Sequence, residues 1–349
     1  MKEILHTIAE GETLTPAQAE QAMHLMMRGE AQPEETAALL MGLRARGETL
    51  PELVAFTRVM REYAVQVDAG DPMAIDLCGT GGDNTGTFNI STAASFVCAG
   101  AGVTVAKHGN RSVSSKCGSA DVLEALGVKV DLRKEGVEHC LREAGIAFLF
   151  APYFHPAMRH VMPVRKLLGV RTFFNILGPL CNPAGVRRQL IGAFSSKVAQ
   201  LMADIMAELD AEHVIAVHAE DGMDEISLCA PTYAFEYDAG RIEKGQPRKS
   251  SMFEIHPEEL ALGCVTMDDV RGGTAADNAE ILRRLLAGET LPHRDVVLLN
   301  AAYALHTSGK FDGPEACLEA ATESIDSGAA MNKLNLLIKV SQEASAEYV

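Results

Sequence analysis

Apolar residues recur at helical spacing through residues 1–70 and then give way to short apolar runs alternating with helical stretches. Thr15-Pro16-Ala17-Gln18 has the form of a capping box with proline at the first helical position, and Met23, Met26 and Met27 extend one apolar face until Gly29 stops it. Residues 4–9 give a helical signal before it. Residues 33–46, ending at Gly47, and 51–64, carrying Leu53, Val54, Phe56 and Val59, give two more before the turn at 68–72. These residues are predicted to form a small helical bundle.

From Ala74 onward, 75–78, 103–106, 128–130, 146–150, 190–194 and 214–217 read as strands, with helices at 89–100, 119–126, 134–144 and 196–209. That alternation predicts an α/β domain. Residues 157–168 read as helix, and a Gly- and Pro-rich passage runs on to 186; this stretch is expected to return to the helical layer. The expected division is therefore a helical domain over 1–70, joined by about 157–186, and an α/β domain over the rest of 71–349. Beyond residue 220 strand-like and helical segments mix, with helices clearest at 277–286 and 294–307. No repeat or low-complexity tract is visible.

Charge restricts the partners. The 349 residues carry 31 Lys plus Arg against 47 Asp plus Glu, a formal net charge of −16. Nucleic acid is excluded as an expected partner, because affinity for it comes mainly from basic side chains that neutralise phosphates. A small anion is not excluded, but it needs a local island of positive potential or a metal. The eight cysteines are spread along the chain without any C-x-x-C, which fits buried thiols in a reducing compartment. The first fifteen residues lack the apolar core of a signal peptide, and the longest uncharged stretch, 84–106, is too polar to cross a membrane. The expected location is the cytoplasm.

Three loops could carry chemistry. Cys78-Gly79-Thr80-Gly81-Gly82-Asp83-Asn84-Thr85-Gly86-Thr87 lies between a strand and a helix, where backbone N–H groups and a helix N-terminus make an anion site. It is neither a Walker A loop, since Thr87-Phe88 follows Gly86, nor a dinucleotide fingerprint, since Asn84 stands where the third glycine belongs. The plain alternative is a strand-to-helix turn; four glycines within 79–86 exceed what a turn needs. Asn89-Ile90-Ser91-Thr92, at the start of the next helix, either cap it or bind phosphate or a metal-bound oxyanion. The second loop, Lys107 to Ser119, gathers three cations besides a histidine, and four serines counting Ser119, in an acidic protein. The third, Glu220-Asp221-Gly222-Met223-Asp224-Glu225, offers carboxylates at a strand end, which suit Mg²⁺ or form a solvated acidic turn. Together the three suggest a site for a magnesium-bound diphosphate. Among Arg159, Arg165, Lys166 and Arg171, an arginine can clamp a substrate carboxylate. His155 and His160 lack metal-ligand spacing.

The stretches DLCGTGGD, FNISTAASF, AKHGNRSVSSKCGSADVLEALG, RTFFNILGPLCNPA and DGMDEIS, in this order and over nearly the whole chain, closely resemble the anthranilate phosphoribosyltransferase family. Pyrimidine nucleoside phosphorylases of the same fold class carry a K-H-S-T-G-G loop instead. The resemblance implies a homodimer whose subunits pair a small all-helical domain with a larger α/β domain, its mostly parallel central sheet flanked by helices and the site in the cleft between. It implies transfer of a phosphoribosyl group from phosphoribosyl diphosphate (PRPP) to the amine of anthranilate, with Mg²⁺, in tryptophan biosynthesis.

Carried over by that resemblance, PRPP is held by Gly79, Gly82, Asp83, Thr87, Asn89, Ile90, Ser91 and Thr92, together with Lys107, His108, Gly109, Asn110, Arg111, Ser112, Val113, Ser114, Ser115 and Ser119. Ser91, Asp224 and Glu225 bind the metal, and Gly79, Asn110 and Arg165 position anthranilate, Arg165 meeting its carboxylate. Lys107, Asp83, Asp224 and Glu225 form the catalytic set. The alternatives are a pyrimidine nucleoside phosphorylase of the same fold and a non-catalytic binding relative.

Overall fold

The computed structural model describes residues 1–347 apart from 84, 113–115, 244, 261 and 264, and only the backbone of 259 and 260. Of the residues singled out above, Asn84, Val113, Ser114 and Ser115 lie outside the described residues. Four helices open the chain: α1 (Lys2–Ala9), α2 (Pro16–Met27), α3 (Pro33–Arg46) and α4 (Leu50–Glu62). The Thr15–Gln18 box forms in full, Thr15 accepting from the Gln18 N–H and Gln18 reaching back to Thr15.

The α/β part begins with β1 (Ile75–Gly79), α5 (Ile90–Gly100), β2 (Val105–Gly109), α6 (Ser119–Leu126), α7 (Lys134–Ala144) and β3 (Ile146–Phe150). After α8 (Ala151–Phe154), α9 (Met162–Leu168) and α10 (Phe174–Leu180) come β4 (Arg188–Gly192), α11 (Ser196–Glu208) and β5 (His213–Ala219). Then follow β6 (Thr232–Asp238), β7 (Ser251–Ile255), α12 (Ala275–Leu286), α13 (His293–Ser308), α14 (Gly313–Asp326) and α15 (Ala329–Glu347). The sheet has the order β3-β2-β1-β4-β5-β6-β7, parallel from β3 to β5, with β6 and β7 added antiparallel. The fold is thus a helical unit plus an α/β unit whose mostly parallel sheet is flanked by helices.

Alternate residues of the central strands serve opposite faces, as pleating requires. Leu77, Leu190, Ile215 and Val217 pack with α5, α13 and α15, while Cys78, Ile191, Val214 and Ala216 join the core that contains α1–α4, α10 and α11. The helical unit and one face of the sheet therefore share a core, with α9 touching α3 and α10 touching α4 and α11.

Three local expectations change. Residues 128–130 are not a strand: Val128 and Val130 are buried in the connection from α6 to α7, and the Lys129 N–H donates to Ser341 Oγ on α15 rather than to a sheet. An apolar run this short reads alike as strand or buried connection. Residues 157–168 are not one helix. A short 3₁₀ helix at Pro156–His160 precedes α9, and Pro156 and Pro163 each sit in the first turn of their own segment. Finally, β2 runs to Gly109, so Lys107 and His108 belong to the sheet and not to the loop.

Candidate active site

The three predicted loops do meet at the carboxyl ends of the parallel strands. β1 ends at Gly79, and Gly81 and Gly82 adopt φ of +63° and +75°, a region that favours glycine. The Gly81 N–H donates to Asp224 Oδ2 at 2.7 Å, and the Thr80 N–H donates to the carbonyl of Gly192 at the end of β4. The glycine loop is thereby joined to the acidic turn that follows β5. Across the loop, Arg171 Nη2 donates to the Gly82 carbonyl at 2.6 Å while its guanidinium lies 4.4 Å from the ring centroid of Phe194.

At the start of α5, the Ser91 N–H donates to Glu225 Oε1 at 3.2 Å. Lys107, buried on β2, places Nζ 2.5 Å from the Leu77 carbonyl and 3.3 Å from Ser91 Oγ, beneath the glycine loop. Burial lowers the Lys107 pKa, and the carboxylates of Asp76 and Glu225 act against that. Asp224 and Glu225 keep part of their surface open but are surrounded by protein on most sides. Burial raises both carboxyls, and like charge adds to it, from Asp83 at Asp224 and from Asp224 at Glu225. The Asp224 and Glu225 carboxylates and the Ser91 hydroxyl, all hard oxygen donors, fit a Mg²⁺ ion, which typically takes one or two protein carboxylates and completes its shell with water and substrate oxygens.

Asn89 precedes α5 without capping it. Its Nδ2 donates to the Cys117 carbonyl at 3.3 Å, and its Oδ1 accepts from Asn278 Nδ2 at 2.9 Å, so it ties the glycine loop region to the second loop and to α12. Ile90 and Thr92 are buried in the helix behind it, and Thr92 Oγ1 has no hydrogen-bond partner among the described residues. Thr87 is linked by an isolated bridge to Arg271.

In the second loop Arg111 is committed to α6, with Nη1 2.6 Å from Glu124 Oε2 and 3.1 Å from Asp121 Oδ1. The expected island of positive charge is thus partly neutralised from within. The Asn110 carbonyl accepts from the Ala120 N–H and from Ser119 Oγ, and Asp121 accepts from the Ser112 and Gly118 N–H groups. Gly118 has to be glycine: a Cβ there would stand 2.3 Å from the Ser112 nitrogen. Gly109 is equally enclosed, by Ser119 Oγ and the Phe148 ring.

His108 turns inward. Its backbone N–H donates to Asp76 Oδ1, its ring lies 5.2 Å from that of His155, and among the described residues Nε2 of each ring is buried without a hydrogen-bond partner. Burial, then His155 and Lys107, hold His108 well below the usual histidine range. Arg165, on α9, packs 5.2 Å over the Phe174 ring and reaches Met162 Sδ at 3.7 Å. Among the described residues it has no carboxylate partner and no hydrogen bond to the glycine loop, so a half-buried guanidinium is available to an anionic group.

Several residues unassigned from sequence hold this arrangement. Buried Asp76 accepts from Asn182 Nδ2 at 2.8 Å and Gln189 Nε2 at 3.3 Å. Buried Asn300 accepts from the Ile226 N–H and donates to the Ile226 carbonyl, fixing the backbone next to Glu225. Asp76 and Asn182 fall inside the recognised stretches DLCGTGGD and RTFFNILGPLCNPA; Gln189, Asn278 and Asn300 had no local signal.

Known proteins with this pattern agree with each other. The glycosyl transferase family, a/b domain, matches residues 71–331, and the helical bundle domain of that family matches residues 2–64. The chain is 64% identical over 348 residues, 99% of its length and 100% of the relative's, to an anthranilate phosphoribosyltransferase of Salinibacter ruber. Another from Symbiobacterium thermophilum is 47% identical, with 99% of each chain covered. The crystal structure of anthranilate phosphoribosyltransferase from Thermus thermophilus superposes with a TM-score of 0.89 at 40% identity, covering 97% of this chain and 99% of that one. The Saccharomyces cerevisiae enzyme in complex with PRPP and Mg gives 0.83 at 25% identity, with 95% and 94% covered.

Proposed function

This chain belongs to the anthranilate phosphoribosyltransferase family, and from that premise we propose how its own residues carry the reaction. The enzyme transfers the phosphoribosyl group of PRPP to the amine of anthranilate, giving N-(5-phosphoribosyl)anthranilate and diphosphate. The observation that supports the site assignment is the convergence of the glycine loop, the start of α5 and the Asp224–Glu225 turn, joined by the Gly81–Asp224 and Ser91–Glu225 hydrogen bonds.

Cleavage of the C1–O bond leaves positive charge on the ribose and negative charge on diphosphate, so groups that stabilise the departing anion lower the barrier more than they stabilise the ground state. Gly79, Gly82, Thr87, Asn89, Ile90, Ser91, Thr92 and Asn110 are assigned to PRPP with backbone N–H groups and short polar side chains. Gly109, Arg111, Ser112 and Ser119 complete that surface. Asp83 is likewise assigned to PRPP, and Ser91, Asp224 and Glu225 to Mg²⁺, which when bound supplies charge neutralisation for the diphosphate. Lys107 supports them from below by opposing the negative charge of Glu225 and Asp76 and by fixing Ser91. Phosphorolysis of a nucleoside would leave this acidic set without a task.

Anthranilate is assigned to Arg165, which offers a guanidinium for its carboxylate, and to Gly79 and Asn110 of the glycine and second loops. Its aromatic amine is already unprotonated near neutral pH, so the reaction requires alignment on C1 and exclusion of water rather than a strong base. His108, held inward and neutral, supplies shape there.

The same reading includes a homodimer in the cytoplasm. Met41 on α3 and Met162 and Leu167 on α9 leave apolar surface exposed on touching helices, which supports a self-association surface. No helix among the described residues is long and apolar enough to cross a membrane. The deciding assay mixes the protein with anthranilate, PRPP and Mg²⁺ and follows loss of anthranilate fluorescence together with diphosphate release. Loss that requires every component is the expected result; loss without PRPP, or none in folded protein, would refute the reading.

A further inference from the structure

A second group of ligating side chains lies at the opposite end of β5 from the acidic turn. His213 opens β5, Glu236 is on β6 and His306 is near the end of α13. His213 Nε2 is 2.7 Å from Glu236 Oε1, and His306 Nε2 is 3.6 Å from the same oxygen. The three ligand atoms lie within 4.8 Å of one another, and the imidazole rings meet edge to face with centroids 5.1 Å apart. His213 and Glu236 are buried.

A conventional hydrogen-bonded explanation accounts for only half of this group. His213 Nε2 and Glu236 Oε1 form an ordinary hydrogen bond, but His306 Nε2 is too far from Oε1 for one, and its Nδ1 is buried with no hydrogen-bond partner among the described residues. Two imidazoles nevertheless aim the same nitrogen at a single carboxylate oxygen. Ligands of a tetrahedral ion bound at about 2.0–2.1 Å stand roughly 3.3 Å apart, close to the His306 spacing. The His213 spacing reaches that value by opening roughly 0.6 Å once its N–H proton is given up. Arg241 Nη1 holds the other oxygen, Oε2, at 2.8 Å, which orients the carboxylate and leaves Oε1 for one further partner.

We propose that His213, Glu236 and His306 form a binding site for a divalent transition-metal ion such as Zn²⁺, separate from the Mg²⁺ position in the cleft. Two imidazoles and one carboxylate oxygen suit Zn²⁺ or Co²⁺, whereas Mg²⁺ prefers oxygen ligands alone. The ligands come from β5, β6 and α13, so the ion pins the antiparallel extension of the sheet to the helix that covers it. Its role is structural: four residue steps of β5 separate His213 from Val217, the partner of Gly192 beside Asp224, or roughly 13 Å.

The test uses the full-length protein stripped with a chelator and kept in excess Mg²⁺ so that the cleft is filled. Co²⁺ is titrated by visible absorption and Zn²⁺ by calorimetry, with thermal melting of each form. One equivalent of ion, d–d bands of a nitrogen- and oxygen-ligated Co²⁺ without a thiolate charge-transfer band, and a raised melting temperature are expected. His306→Gln and Glu236→Gln should each weaken binding by about tenfold or more, since each removes a ligand. His306→Gln should keep wild-type transfer of phosphoribose, which reports that it is folded. Absence of stoichiometric binding by the wild type, a thiolate band, or wild-type affinity in both variants would overturn the proposal.

Discussion

Gly192 stands so close to Asp224 that a Cβ built on it would lie 1.6 Å from the Asp224 carbonyl oxygen. The end of β4 thus passes against the backbone of the acidic turn, and no side-chain rotation relieves the clash. Gly192→Ala is expected to shift Asp224 and Glu225 together. A displacement near 1 Å costs about 10²-fold in an aligned reaction, so kcat/KM should fall by about that factor, with a higher Mg²⁺ requirement. Gly79→Ala meets only the tip of the Asp224 side chain, at 2.9 Å, and should cost less. Steady-state kinetics across a Mg²⁺ series, with melting curves as a check on folding, separates the two.

Asp224 and Glu225 crowd each other, and a cation is the natural relief. Asp224→Asn combined with Glu225→Gln removes both charges with little change of shape, and it also removes the acceptors of the Gly81 and Ser91 N–H groups in their ionised form. Turnover should fall by at least about 10²-fold, the range associated with losing charge stabilisation of a leaving group. The response to added Mg²⁺ should weaken in parallel. Wild-type-like rates in the double variant would remove these residues from the metal site.

What could be read in the sequence was mostly local. α6 and α7 end where Gly127 and Gly145 take left-handed conformations, so their limits are written into a few adjacent residues. The glycine loop and the Asp224–Glu225 turn are contiguous motifs and were equally visible. Gly192 against Asp224, Arg171 on Gly82, Asn278 on Asn89 and Asn300 around Ile226 were not, because each joins segments far apart in the chain that carry no shared pattern. Lys107 illustrates the intermediate case. Its place in a cationic stretch suggested a loop, yet two more sheet residues follow it, and pairing with β3 turns its side chain under the site. Val128 and Val130 show the converse, apolar residues buried by packing rather than by a sheet.

The buried His108–His155 pair makes stability depend on pH. Burial pushes His155 down to about 4 and, with His155 and Lys107, holds His108 well below its usual range. In the unfolded chain both rings titrate near 6.5, so the unfolded state takes up more protons as pH falls below that value. Their contribution to stability is present above about pH 6.5 and is lost as pH drops toward 4. The raised carboxyls of Asp224 and Glu225 act in the opposite sense over the same range, favouring the folded state as pH falls, so the histidine contribution is read by difference: between about pH 7 and pH 5 the denaturant midpoint of His155→Gln should lose less, or gain more, than that of the wild type. An unchanged slope in the variant would show that other groups set it.

Arg165 offers the sharpest test of where anthranilate sits. Its guanidinium rests on the Phe174 ring without a carboxylate partner among the described residues, so a bound carboxylate would form its first ion pair. A hydrogen bond to a charged group contributes about 1.5–3 kcal/mol, which corresponds to roughly 10- to 100-fold in binding. Arg165→Ala should therefore raise KM for anthranilate by about that factor while leaving KM for PRPP nearly unchanged. Arg165→Lys should recover part of the loss, because charge returns without the planar fork. Equal increases in both KM values would mean that the arginine organises the cleft as a whole, and an unchanged KM for anthranilate would move its carboxylate to another residue, with Arg171, already held against Gly82, the next to substitute.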